Sequence, residues 1–132
     1  MKKLILLLLF ALSLVAENLP WAKSYDEAKK ISSETGKTVM IMFSQAGCPT
    51  CEYMKDVAFE NEELADYIRF YFVPVEIDIY EQEVPDGFRF RGTPTFYFTD
   101  HNGKKVARKI AGGAKADVFL KELQQIRSTL KK

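Results

Sequence analysis

The spacing of hydrophobic and polar residues changes repeatedly along the chain, and each change marks an element. Thr38-Val39-Met40-Ile41-Met42-Phe43 is apolar without alternation after Thr38. That is the pattern of a central strand buried on both faces and covered by helices on either side. Ahead of it, Ser24 precedes Glu27 by three residues, and Tyr25, Ala28 and Ile31 share a helical face. A capped helix is predicted there, ending with Gly36 as its C′ residue. Beyond the strand, Cys51, Met54, Val57 and Ala58 recur at helical spacing, Asn61 offers a second cap, and Leu64, Ala65 and Ile68 continue the apolar face. Phe70 to Ile79 reads as the next strand, with Pro74 suited to an edge or a bulge because it donates no ladder bond. Tyr80 to Arg91 is a connector, a turn or short helix around Pro85 and Gly87.

The last third reads as a hairpin and a helix. Pro94 to Thr99 is a strand, Asp100-His101-Asn102-Gly103 a turn, and Lys104 to Ile110 the returning partner. Gly112-Gly113 breaks the strand, and Ala116, Phe119, Leu123, Ile126 and Leu130 mark one face of a closing helix. The single Trp21 is expected as a core plug under the first helix. The order predicts an α/β fold, a central mixed sheet of about four strands with helices on both faces.

The N-terminus follows a different logic. Met1-Lys2-Lys3 is a charged start, Leu4 to Leu12 is wholly apolar, and Ser13-Leu14-Val15-Ala16 offers a small residue for cleavage after Ala16. Residues 1–16 are therefore expected to be a signal peptide and 17–132 the working domain. The alternative is an uncleaved anchor, but the uncharged stretch falls short of the roughly 20 residues a spanning helix needs. Export places the protein in the periplasm or another extracytoplasmic space. A chain of 132 residues suits one domain, and its 47% hydrophobic content supplies a core. Loss of the leader removes Lys2 and Lys3 and no acid, so the domain carries one acid more than it has bases. This near-neutral surface gives nucleic acid no basic footprint.

The chemistry lies between the first strand and the helix after it, in Ser44-Gln45-Ala46-Gly47-Cys48-Pro49-Thr50-Cys51. These are the only two cysteines in the protein. A random pair would fall at this spacing roughly once in seventy chains. With Cys48 as N-cap, Pro49 takes the first helical position, where its missing N–H costs nothing. The Cys48 sulfur then faces the free N–H groups of Thr50 and Cys51 at the positive end of the helix dipole. Those groups favour thiolate over thiol and prepare Cys48 to attack disulfides. Cys51, one turn in and more buried, is placed to resolve the mixed disulfide. Glu52 beside it is a candidate for proton exchange, or a solvated first-turn acid that suits the dipole.

Strand, Cys-x-x-Cys, helix, strand, then Thr93-Pro94 opening a hairpin and a final helix: from Trp21 to Leu130 this resembles the thioredoxin superfamily. It looks closest to exported thioredoxin-like proteins of bacteria, with Val57 to Phe59 and Phe72 to Val75 matching their turn and strand. The resemblance implies Cys48 as nucleophile and Cys51 as resolving cysteine. It also implies a cis Pro94 beside the dithiol, Thr93 presenting backbone groups to an extended substrate, and Gly112 lining the same groove. Three positions depart from the pattern: Met42 stands where a buried Asp is usual, Pro74 where a lysine is, and Gly47 where an aromatic precedes the first cysteine.

The expected function is extracytoplasmic thiol–disulfide exchange with cysteine-containing proteins, more in the reducing direction, by a monomer served by a membrane or periplasmic redox partner. No cofactor or metal is expected. His101 reads as an exposed turn residue, and Met40, Met42 and Met54 as core rather than copper ligands. The competing class is a non-catalytic interaction module with a permanent Cys48–Cys51 bridge. Closing so short a loop restrains the unfolded chain little, which makes that bridge a poor staple.

Overall fold

Ser24 begins the first helix as the pattern requires. Its hydroxyl accepts the Glu27 N–H at 3.0 Å, and the Glu27 carboxylate reaches back to the N–H of Lys23 at 2.8 Å. The computed structural model describes residues 19–130, so the expected leader at 1–16 lies outside them. In chain order the elements are α1 (Tyr25–Thr35), β1 (Thr38–Ser44), α2 (Pro49–Asp56), α3 (Glu62–Tyr71), β2 (Phe72–Asp78), β3 (Thr95–Thr99), β4 (Ile110–Ala111) and α4 (Ala116–Leu130). The strands form one mixed sheet in the order β2-β1-β3-β4, with β1 parallel to β2 and antiparallel to β3. None of the described helices is long and apolar enough to cross a membrane.

β1 is central, and its side chains divide between two cores by strand alternation. Met40 and Met42 join Phe96, Phe98, Phe119, Leu123 and the dithiol on the face covered by α2, α3 and α4. Val39, Ile41 and Phe43 join Val73, Val75, Ile77 and Tyr97 on the face covered by Ala28 of α1. Helices therefore flank both faces, as expected. Trp21 does not sit under α1. It packs edge-on to Phe59, ring centroids 5.8 Å apart, in the opposite core.

One predicted boundary held and one moved. Asn61 caps α3 through its side chain, which accepts the Leu64 N–H at 3.0 Å, after a short 3₁₀ turn at Ala58–Glu60. The helix it starts runs on through Phe70 and Tyr71, and the strand begins only at Phe72. β2 is an edge strand of the sheet, bridged on its outer side by Ala22, whose N–H reaches the Pro74 carbonyl at 2.8 Å. A residue's N–H and C=O point to the same side of a strand, so the missing donor of Pro74 faces outward and the β1 ladder loses nothing.

The returning hairpin strand is shorter than the pattern suggested. From Phe96 to Thr99 is three steps along β3, but from Ile110 back to Lys105 is five, so two residues bulge out. The turn itself forms: the Asp100 carboxylate accepts the N–H groups of Asn102 (2.9 Å) and Lys104 (3.0 Å). In a regular strand Lys105 and Lys109 would lie about 13 Å apart. Here the bulge brings both ammonium groups over the Tyr97 ring, 5.2 and 5.7 Å from its centroid. Both donate to connector carbonyls, Lys105 to Gly87 and Lys109 to Arg89.

Candidate active site

The dithiol's position follows from how β1 passes into α2. Gly47 takes φ 74°, in the left-handed region that glycine enters without steric cost. An aromatic residue at that position, usual in the pattern the sequence resembles, would be strained on this backbone. Cys48 is extended (φ −93°, ψ 103°) and caps α2, with Pro49 at the start of the helix. Of the two N–H groups expected at its sulfur, that of Cys51 makes the bond, at 3.2 Å. The two cysteines form a disulfide with their Cα atoms 5.3 Å apart, and both are buried, Cys51 the more deeply.

The two cysteines have different surroundings. Cys48 Sγ lies 3.5 Å from the carbonyl oxygen of Thr93, and the Thr93–Pro94 bond is cis. The Pro94 carbonyl in turn accepts the Gly112 N–H at 2.8 Å, with Gly112 itself left-handed at φ 85°. The structure thus brings Thr93, Pro94 and Gly112 together with Cys48. Cys51 instead lines an open cleft of about 390 Å³ between α2, the end of β1 and β2. Glu52 is exposed and lines this cleft, together with Lys55, Glu76, Asp78 and Glu81.

Gly113 completes the contact between the hairpin exit and α2. A Cβ at that position would meet Thr50 Cγ2 at 2.7 Å and Met54 Sδ at 3.0 Å, closer than side chains pack. The next N–H, of Ala114, donates to Met54 Sδ at 3.4 Å. A closed circuit results, running from Cys48 to Thr93-Pro94, on to Gly112-Gly113-Ala114 and back to α2 through Met54 and Thr50. Sequence reading found Gly112 and missed Gly113, although the doublet held the signal. It placed Met54 in the core, where it is fully buried, but gave no hint of the weak acceptor role of its sulfur. His101 is exposed at the hairpin tip, away from this circuit.

Comparison with known proteins agrees with this geometry. A barley (Hordeum vulgare) protein disulfide-isomerase is 30% identical over 106 residues, which is 79% of this chain and 20% of that protein. The chain spans half or less of the length of the curated relatives it matches first. A thioredoxin from Thermus thermophilus superposes with a TM-score of 0.70 at 26% identity, covering 86% of this chain and 91% of that one. The DsbH oxidoreductase shares the fold, with a TM-score of 0.65 at 23% identity over 87% of this chain and 86% of that one. The family model described as a thioredoxin-like domain matches residues 25–127. With a helix-capping Cys-x-x-Cys disulfide in this fold, the chain belongs to the thioredoxin-like family and has the features of a thiol–disulfide redox protein.

Proposed function

We propose that this protein is an extracytoplasmic thiol–disulfide oxidoreductase that exchanges disulfides with cysteine-containing proteins and acts as a reductase. The observation that carries the reading is the capped disulfide, with the Cys51 N–H on the Cys48 sulfur and the Thr93 carbonyl 3.5 Å away. In the reduced form the N–H and the α2 dipole stabilise a Cys48 thiolate, the form that attacks. A substrate chain lying against Thr93, Pro94 and Gly112 presents its disulfide to Cys48, and the Thr93 carbonyl pairs with that chain's backbone. Cys51 then displaces the substrate sulfur and restores the bridge. Glu52, exposed in the first turn of α2 and lining the cleft beside Cys51, is a solvated acid that suits the helix dipole. The basic start and apolar run of residues 1–16 support export, and a redox partner in the membrane or the same space returns the disulfide to the dithiol.

Trapping tests the roles. Reduced Cys51→Ser incubated with insulin is expected to accumulate a mixed disulfide through Cys48, whereas Cys48→Ser accumulates almost none. Equal trapping by both variants contradicts the assignment. A wild-type bridge that dithiothreitol leaves intact under native conditions would instead identify a non-catalytic module.

A further inference from the structure

Resolution of a mixed disulfide sets a chemical requirement that the dithiol does not meet by itself. Cys51 is buried and must lose its proton as its sulfur attacks. The sulfur pair is enclosed on the Cys48 side by Thr93, and that side is occupied by substrate at this moment. The cleft on the other side is the opening that Cys51 lines. At about 390 Å³ it has room for several waters at roughly 30 Å³ each.

Two charged side chains in that cleft are held together. Glu76 lies opposite Met42 in the β1–β2 register, and strand alternation puts it on the same face as Phe72, toward α2. Lys55 lies one turn beyond Cys51, so both share a face of α2. Its ammonium sits 3.3 Å from Glu76 Oε1 and 2.9 Å from Oε2, joining α2 to β2. Both side chains are only about a third exposed, at 36% and 30%. The other charged groups of the cleft are Glu52, Asp78 and Glu81. Asp78 is engaged locally, its carboxylate accepting the N–H groups of Tyr80 (2.9 Å) and Glu81 (3.1 Å).

We propose that Glu76, held by Lys55, is the proton acceptor for Cys51 during resolution, through water in this cleft. The proposal rests on the redox reading of the dithiol. The balance is simple. Cys51–SH attacks the Cys48 sulfur of the mixed disulfide Cys48–S–S–R, the Cys48–Cys51 bond forms, and R–S⁻ departs to be protonated by solvent. The dithiol loses two electrons and the substrate disulfide, counted over both attacks, gains them. The Cys51 proton passes through the cleft to the Glu76 carboxylate and from there to solvent. It grows more acidic as the new S–S bond forms, which eases its transfer to a carboxylate. In the reverse reaction Glu76 returns the proton to the departing Cys51. Lys55 is a positioning residue that keeps the carboxylate turned into the cleft.

Stopped-flow reaction of the reduced protein with one equivalent of dithiobis-nitrobenzoate separates the two steps. The first release of coloured thiolate reports attack by Cys48, the second resolution by Cys51. Glu76→Gln should leave the first phase intact and slow the second about tenfold or more near pH 6 to 7, with a steeper pH dependence than wild type. Lys55→Met should produce a smaller loss of the same kind, and it serves as the second variant should Glu76→Gln fold poorly. Glu81→Gln, on the same rim, should change neither phase. An unchanged second phase and pH profile in Glu76→Gln overturns the proposal, as does a loss seen in Glu52→Gln instead. A wild-type protein without the first phase overturns the redox reading itself, a different result from either.

Discussion

The two faces of the sheet are closed by different means. On one, the paired helices α2 and α3 together with α4 cover Met40, Met42, Phe96 and Phe98, and the dithiol sits at the edge of that layer. On the other, α1 covers only part, and the rest is closed by aromatic rings from an irregular connector. Phe90 stacks on Phe43 with centroids 5.0 Å apart, Phe88 packs on it tilted at 5.4 Å, and Phe88 also packs edge-on to Tyr97 at 4.9 Å. The connector forms no helix, and hairpin side chains hold it. The Tyr97 hydroxyl donates to the Arg89 carbonyl and accepts the Arg89 N–H at 3.3 Å, with Lys105 and Lys109 on either side. The comparison separates two tasks. The helical face positions the dithiol, while the aromatic face carries the chain that ends in Thr93-Pro94 beside Cys48.

The largest effect is expected from the aromatic face. Phe43 is fully buried and touches Phe88, Phe90 and Tyr97. Phe43→Ala should lower the free energy of unfolding by about 3–5 kcal/mol, read from urea titration. In the molecules that remain folded, Cys48 should react with a small disulfide at the wild-type rate. A slower Cys48 would mean the two faces are not separable.

Gly113→Ala probes the helical face. The new methyl must displace Thr50 and Met54, for a cost of about 1–3 kcal/mol. Because it pushes on the first turn of α2, the Cys48 reaction with a small disulfide should change as well. A variant as stable and as reactive as wild type would remove Gly113 from the circuit.

Tyr97→Phe is the mildest. It keeps the ring and deletes the hydroxyl that serves both backbone groups of Arg89, for about 1 kcal/mol. The expected signature is a KM for a protein disulfide raised about threefold with kcat little changed, and an unaltered rate toward a small disulfide. Equal losses on both substrates would show that the connector does more than place the groove.

What sequence alone revealed divides along the same line. Ser24, Gly36, Cys48 and Asn61 were legible because each acts within one turn of itself: three caps bond N–H groups three residues on, and Gly36 adopts φ 75° to end α1. The buried character of β1 was legible from its unbroken apolar run. The side of the sheet that Trp21 joins was not, since it depends on where the lead-in crosses β2 at Ala22. Nor was the truncated hairpin strand, because a two-residue bulge depends on pairing with β3 and on the connector that Lys105 and Lys109 hold. Glu76 escaped notice for a similar reason. In sequence it is one acid in a strand, and only the register with Met42 and the ion pair to Lys55 place it in the cleft that Cys51 lines.

The central claim, that capping α2 makes Cys48 the attacking sulfur, is tested most directly by the pH dependence of alkylation of the reduced protein, each cysteine followed separately by peptide mass. The Cys48 rate should reach half its maximum at least about one pH unit below the 8.5 of an ordinary thiol, while Cys51 stays unreactive until higher pH. Two cysteines that titrate together near the ordinary value would contradict the account.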